Sequence, residues 1–133
     1  MNFELHPRLA GDTAFIKDWP VSRLLVMDDA RFPGIILVPR RPNIVEFFDL
    51  EPADRVMLCE EMAMAGERLK ALTACDKVNI AMLGNIVSQL HVHVVARYRD
   101  DAAWPGPIWG CGERLVYDPA ALDDFRSRLV NAF

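Results

Sequence analysis

Hydrophobic and polar positions alternate in short stretches along much of this chain and take helical spacing in two longer ones. Short apolar or alternating stretches bounded by Gly, Pro, Asp or Asn are typical of strands. Four such stretches precede a histidine-containing segment, at residues 14–17, 22–27, 35–38 and 77–83. A Pro-Gly turn separates the second from the third, which predicts a hairpin.

The clearest alternation lies at residues 89–97, which read Gln-Leu-His-Val-His-Val-Val-Ala-Arg. Successive side chains of a strand point to opposite faces. One row is therefore predicted to point into the core, namely Leu90, Val92, Val94 and Ala96. The other row is predicted to lie on an open face, namely Gln89, His91, His93, Val95 and Arg97. Two of the three histidines in the chain would then be neighbours on one rigid element.

Helical spacing first occurs at residues 52–73, where Pro52 suits the first turn. The predicted apolar face consists of Val56, Cys59, Met62, Ala63, Gly66, Leu69 and Leu72 or Thr73. The methionines of this helix are interpreted as core side chains that fill gaps, namely Met57, Met62 and Met64. A second helix is predicted at residues 118–131, with Asp118 as its N-cap and an apolar face of Leu122, Phe125, Leu129 and Val130.

These elements together predict an α+β domain with an antiparallel sheet of about five strands, one long helix and a C-terminal helix. Residues 43–50 are ambiguous and compatible with a short helical turn at 45–48. At 133 residues and 52% hydrophobic content, the chain is long enough to bury a core of its own. We expect a single domain over residues 1–133.

Charge and cysteine content narrow the possible partners. A net charge of -4 gives no basic surface for polymeric nucleic acid, so any nucleotide ligand is expected to be small. Three cysteines without a CxxC pair are typical of reduced thiols in a cytoplasmic protein. Residues 1–12 carry Glu4, Arg8 and Asp12 and lack the unbroken apolar core of a signal peptide. No stretch approaches the ~20 apolar residues of a membrane span. We therefore expect a cytoplasmic protein that is not associated with a membrane.

The two histidines of residues 89–97 are open to three interpretations. A metal site would need a third ligand, and no histidine follows His93. Nucleophilic attack on phosphorus would need one imidazole nitrogen free and the other held as N–H by an acceptor, such as a backbone carbonyl. Two imidazoles bonded only to the backbone would have a purely structural role.

Other residues are candidates with weaker signals. Asn79 is unfavourable within a strand, so its side chain is expected to have a specific partner. Trp104 and Trp109 lie in a segment rich in Pro and Gly and either cover a ligand or fill the core. The Arg40-Arg41 pair is interpreted as a solvated strand end and is left out of the site.

Residues 89–95 resemble the signature of the histidine triad (HIT) superfamily, His-φ-His-φ-His-φ-φ with φ apolar, except that Gln89 replaces the first histidine. Leu-Val-Pro-Arg-Arg at residues 37–41 resembles the strand end before the helix of that family. Asn79 with Gly84-Asn85 resembles its phosphate-loop region, and Trp-Pro-Gly at residues 104–106 resembles a segment found in one branch. The resemblance covers about residues 23–110.

The resemblance implies a HIT-like fold, often paired into a homodimer, and a hydrolase or nucleotidyl transferase. Such an enzyme cleaves at the α-phosphate of a small nucleotide conjugate. By position, His91 would form the covalent nucleotidyl intermediate and His93 would contact the phosphate or the leaving group. Asn79 and Asn85 would contact phosphate, and Asp28 would contact the ribose hydroxyls. No cofactor or metal is expected.

Glutamine at position 89 is the main departure from the family pattern. Gln89 keeps the backbone carbonyl that orients the middle histidine, but its side chain cannot exchange a proton. Catalysis is therefore expected to be slow or restricted to good leaving groups. The alternatives are a nucleotide-binding or sensing module that has lost catalysis, and a structural dimer.

Overall fold

One antiparallel sheet of five strands forms the centre of the fold, which the computed structural model describes over residues 2–133. The strands are β1 (Thr13–Asp18), β2 (Ser22–Met27), β3 (Gly34–Pro39), β4 (Lys77–Ala81) and β5 (Val92–Arg97). The helices are α1 (Pro7–Asp12), α2 (Pro52–Thr73) and α3 (Pro119–Ala132), with a 3-10 turn at Phe47–Asp49. The predicted α+β class is confirmed.

The histidine strand β5 lies inside the sheet. The strand order is β1-β2-β3-β5-β4, and β2 and β3 form the predicted antiparallel hairpin. On one side of β5, Ile36 of β3 pairs with His93, and on the other side Ala81 of β4 pairs with the same residue. Hydrogen bonds from both neighbours therefore hold the backbone of His93 in place.

One face of β5 forms the main core, as the alternation predicts. Val92, Val94 and Ala96 are fully buried and Leu90 is nearly so. They belong to a cluster that also contains Leu58, Ala65 and Leu69 of α2 and Phe125 and Leu129 of α3. The predicted apolar face of α3 is confirmed, because Leu122 and Val130 pack against the same cluster.

The opposite face of β5 is not open, and the prediction of an exposed row is wrong. Val95 is 0% exposed and packs with Phe32 and Ile108. Arg97 is 1% exposed because the segment that follows the strand folds back over it. The alternation correctly predicts that β5 has two distinct faces. The second face is buried by irregular segments that lie outside the strand, around Phe32 and at residues 98–109.

Two strand boundaries differ from the prediction. β5 begins at Val92, so Gln89, Leu90 and His91 lie before the strand and not within it. These residues bond outside the ladder; the Leu90 N–H, for example, donates to the Ile44 carbonyl. β4 ends at Ala81, and the apolar residues Met82 and Leu83 lie in the exposed loop that follows.

The predicted face of α2 is correct only in its second half. The buried residues are Leu58, Glu61, Ala65, Gly66 and Leu69, whereas Val56 is 67% exposed and Cys59 is also exposed. A hydrophobic pattern cannot identify Glu61, whose carboxylate is buried because it accepts the N–H groups of Val21 and Ser22 at 2.9 and 3.0 Å. Met57 and Met64 are exposed, so they are not core side chains.

The remaining helices show smaller differences. α1 is absent from the sequence predictions; His6 caps it by accepting the Arg8 N–H at Nδ1. Asp118 stands at the N-cap of α3 without a side-chain capping bond, and the short turn lies at Phe47–Asp49 and not at 45–48.

No helix in residues 2–133 has the length and apolar character that a membrane span requires.

Candidate functional site

An open cavity of about 370 Å³ lies where β5 begins, between α1 and two loops. Its wall includes both motif histidines, Asn85 from the loop before β5 and Trp109 from the segment after it. Leu9, Met27 and Ile36 add an apolar surface. This size and mixture of polar and apolar groups are typical of a small-molecule site.

His91 is held in one tautomer by its own neighbour. Its Nδ1 lies 2.7 Å from the Gln89 carbonyl oxygen. A carbonyl only accepts hydrogen bonds, so Nδ1 carries the proton and Nε2 of the neutral ring keeps its lone pair. The imidazole lines the cavity, and a ring nitrogen with a free lone pair is what nucleophilic attack by histidine requires.

His93 is a buried, neutral imidazole beside it. Its ring centroid lies 5.1 Å from that of His91 and 5.4 Å from that of Trp109. Burial, with a smaller contribution from the nearby His91, lowers the pKa of His93 to about 4. His93 can therefore donate one hydrogen bond at neutral pH, but it holds no extra proton to transfer.

The low pKa of His93 predicts acid sensitivity. The unfolded chain binds a proton at this residue below pH ~6.5, whereas the folded protein binds it only near pH 4. The contribution of His93 to the free energy of unfolding is therefore complete above pH ~6.5. As the pH drops to 4, this contribution should fall by about 3 kcal/mol. Urea titrations at several pH values should show a shallower decline for His93→Gln. An unchanged pH slope in that variant would contradict the assignment.

The side chain of Gln89 points away from the cavity and fastens the N-terminal segment. Its Oε1 accepts the His6 N–H at 2.8 Å, and its Nε2 donates to the Glu4 carbonyl at 2.9 Å. A neutral amide can make both bonds at once because it carries a donor and an acceptor. Gln89 thus has two roles. Its backbone carbonyl orients His91, and its side chain holds the segment that leads into α1, whose residues line the cavity.

Asn85 is the one predicted phosphate contact, apart from the histidines, that the structure brings to the cavity. It follows Gly84, whose φ of 72° lies in the left-handed region that suits glycine. The buried Val87 then anchors the loop against Leu25, Ile36 and Val38. The turn at residues 84–87 therefore places Asn85 in the wall of the cavity that the histidines also line.

Asn79 and Asp28 do not line this cavity. The side-chain oxygen Oδ1 of Asn79 accepts a hydrogen bond of 2.7 Å from the Arg97 guanidinium, which explains why an asparagine occurs in β4. The Asp28 carboxylate accepts the Tyr117 N–H at 2.8 Å and so fastens the chain before α3. Both side chains support elements around the site.

A buried ion pair holds the segment that follows β5, residues 98–109, against the second face of the strand. The Arg97 guanidinium donates to both carboxylate oxygens of Asp101, at 2.7 and 3.0 Å. The same carboxylate accepts the N–H groups of Tyr98, Ala103 and Trp104. This network orders the segment that carries Trp109 to the edge of His93. Trp109 covers the cavity, whereas Trp104 lies over the Arg97 guanidinium.

Arg40 and Arg41 are not the solvated strand end that was predicted, because both are half-buried and bonded within the protein. Arg41 forms two hydrogen bonds with Asp54, and Arg40 donates to the Trp19 carbonyl. Neither residue lines the cavity with the histidines.

Three charged residues of the cavity were missed by the sequence analysis: Arg8 and Asp12 of α1, and Arg114 of the loop before α3. They lie far from the histidines in sequence, and no motif marks them. Within residues 2–133, no three His, Cys, Asp or Glu side chains cluster as a metal site requires.

Comparison with known proteins agrees with this geometry. The family model of the HIT domain matches residues 10–100. A histidine triad protein from Bradyrhizobium japonicum is 45% identical with a TM-score of 0.96, covering 99% of this chain and 98% of its own. One from Sinorhizobium meliloti is 40% identical with a TM-score of 0.95, covering 98% and 97%. One from Marinobacter aquaeolei is 36% identical with a TM-score of 0.96, covering 99% and 96%.

No curated protein is significantly similar in sequence. The domain match and the three similar structures nevertheless agree over most of the chain. The protein therefore belongs to the HIT family, whose members bind nucleotides and include nucleotide hydrolases and transferases.

Proposed function

We propose that the protein is a nucleotide hydrolase or nucleotidyl transferase that cleaves at the α-phosphate of a small nucleotide conjugate through a nucleotidyl-His91 intermediate. The observation that carries the proposal is the 2.7 Å contact between His91 Nδ1 and the Gln89 carbonyl, which leaves Nε2 free in a cavity. A fixed tautomer and a free lone pair are what an imidazole nucleophile requires.

The reaction has two steps. The Nε2 lone pair forms a bond to the α-phosphorus, while the bond between phosphorus and the leaving oxygen breaks and its electron pair stays with the leaving group. The imidazolium formed on His91 keeps its proton on Nδ1, which continues to donate a hydrogen bond to the Gln89 carbonyl. Water, or an acceptor alcohol in a transferase, then attacks the phosphorus, loses a proton to solvent and releases the nucleotide from Nε2.

Neighbouring groups support the phosphoryl chemistry. His93 and Asn85 can donate hydrogen bonds to phosphate oxygens in a site that Trp109 partly shields from water. Leu9, Met27 and Ile36 offer an apolar surface for a base. Asn79 and Asp28 are not assigned ligand contacts, because their side chains already bond to Arg97 and Tyr117.

Calorimetry with AMP and GMP, combined with turnover assays, tests the function. The assays use dinucleoside polyphosphates, nucleoside phosphoramidates and acyl-adenylates. Binding of a monophosphate together with turnover that depends on His91 supports the enzyme. Binding without turnover of any of these substrates would identify a sensing module instead. The absence of both would exclude a nucleotide site.

We also propose that the protein forms a homodimer through the free edge of β4. α3 packs against β1, the other edge strand of the sheet. On β4 and in the loop that follows it, apolar side chains are 39% to 45% exposed, namely Ile80, Met82 and Leu83. Sedimentation should show a dimer for the wild type and for Phe15→Asp on β1, and a monomer for Ile80→Asp. A monomeric wild type at micromolar concentration would contradict the proposal.

A further inference from the structure

Two arginines lie in the cavity wall in addition to the histidines. Arg8 comes from α1 and Arg114 from the loop before α3, and both side chains are partly exposed. They share one carboxylate, because Asp12 lies 3.9 Å from Arg8 Nε and 3.3 Å from an Arg114 guanidinium nitrogen. Two positive charges and one negative charge leave the opening positive in a protein whose net charge is -4.

Both guanidinium groups have unused donors. Within residues 2–133, neither side chain donates a well-formed hydrogen bond, although each guanidinium carries five N–H donors. Arg31 and Arg97, by contrast, each donate to both oxygens of a carboxylate and to one further acceptor. Arg8 and Arg114 are therefore available for an anion that enters the cavity.

The lack of a proton donor elsewhere in the site indicates the chemical class of this anion. The Gln89 side chain exchanges no proton and points away from the cavity. His93 is neutral at pH 7, because burial lowers its pKa to about 4. A leaving amine would need a proton, which neither residue can supply. A phosphate leaves as an anion and needs positive charge near it instead.

We propose that Arg8 and Arg114 form a second anion subsite that binds the leaving group, so that the substrates are nucleotide conjugates whose leaving group is itself a phosphate or polyphosphate. This proposal rests on the proposed function and adds the substrate class. In the first step, the electron pair of the broken bond between phosphorus and oxygen stays on the departing phosphate. Arg8 and Arg114 offset that charge without a proton transfer. α1, which Gln89 fastens, thereby becomes part of the catalytic cavity.

Calorimetry with AMP and with the non-hydrolysable α,β-methylene ADP tests the subsite. Arg8→Gln and Arg114→Gln should each weaken binding of the diphosphate analogue about tenfold, as expected for a charge-assisted hydrogen bond, and should change AMP binding less than twofold. Arg128→Gln, on the exposed surface of α3, is the matched control and should change neither. In turnover assays, Arg8→Gln and Arg114→Gln should lower kcat/KM for a dinucleoside polyphosphate more than for a phosphoramidate.

The possible outcomes separate this inference from the function on which it rests. Suppose that the wild type binds AMP. If the arginine variants then weaken the binding of AMP and of the diphosphate analogue equally, or weaken the binding of neither, the subsite is refuted while the nucleotide site stands. Faster wild-type turnover of phosphoramidates than of polyphosphates would also refute it. If the wild type binds neither ligand, the proposed function fails as well.

Discussion

Replacement of His91 by alanine should abolish turnover, with kcat reduced by roughly three to six orders of magnitude, as when other covalent nucleophiles are removed. In the proposed mechanism His91 provides the atom that bonds to phosphorus, and within residues 2–133 no other imidazole in the cavity is held by a carbonyl in the same way. His93 lies 5.1 Å away, but its Nδ1 has no hydrogen-bond partner in the described chain. It cannot substitute for the oriented nucleophile.

Binding should survive the same substitution. The apolar wall, Asn85 and the arginines remain in His91→Ala, so AMP affinity should change only a few-fold by calorimetry, and the thermal midpoint should confirm folding. Steady-state turnover of a dinucleoside polyphosphate is the measurement. Turnover of His91→Ala within tenfold of the wild type would show that catalysis does not pass through this residue.

The largest loss of stability is expected for Arg97→Met. The Asp101 carboxylate would remain buried without its guanidinium partner, which costs about 3–5 kcal/mol. Arg23→Met is a matched control, because Arg23 forms a similar two-bond pair with Asp18 on the surface. That variant should lose less than ~1 kcal/mol. Urea unfolding measures both, and equal losses would contradict the role assigned to the buried pair.

The same pair has a predictable pH dependence. Arg97 holds the pKa of Asp101 down to about 2, from an ordinary value near 4. Its stabilising contribution is therefore complete above pH ~4 and is lost as the pH falls towards 2. The difference in unfolding free energy between wild type and Arg97→Met should shrink over that range. A difference independent of pH would show that lost packing, and not charge, explains the destabilisation.

The sequence predicts those features that depend on local periodicity and on a contiguous motif. Alternation in β5 places Val92, Val94 and Ala96 in the core, and the motif identifies the histidine pair before any coordinates are known. The resemblance to the HIT signature also implies that the Gln89 carbonyl is the partner of His91, and the two groups lie 2.7 Å apart in the structure.

The features that the sequence misses depend on contacts between distant segments. The cover over Val95 and Arg97 depends on Asp101 and on an irregular segment without periodicity. The cavity cations come from α1 and from the loop before α3, and only the folded chain brings them together. Asn79 illustrates the limit, since the sequence indicates that its side chain has a specific partner, but only the folded chain identifies Arg97 as a partner.

Direct detection of the covalent intermediate is the most decisive measurement. The protein should be incubated with dinucleoside polyphosphate, stopped at alkaline pH, because a phosphorus–nitrogen bond to histidine is labile in acid, and digested for peptide mass spectrometry. A nucleoside monophosphate adduct is expected on His91, absent from His91→Ala and decaying as product forms. Turnover without an adduct on His91, or with an adduct on another residue, would contradict the proposed mechanism.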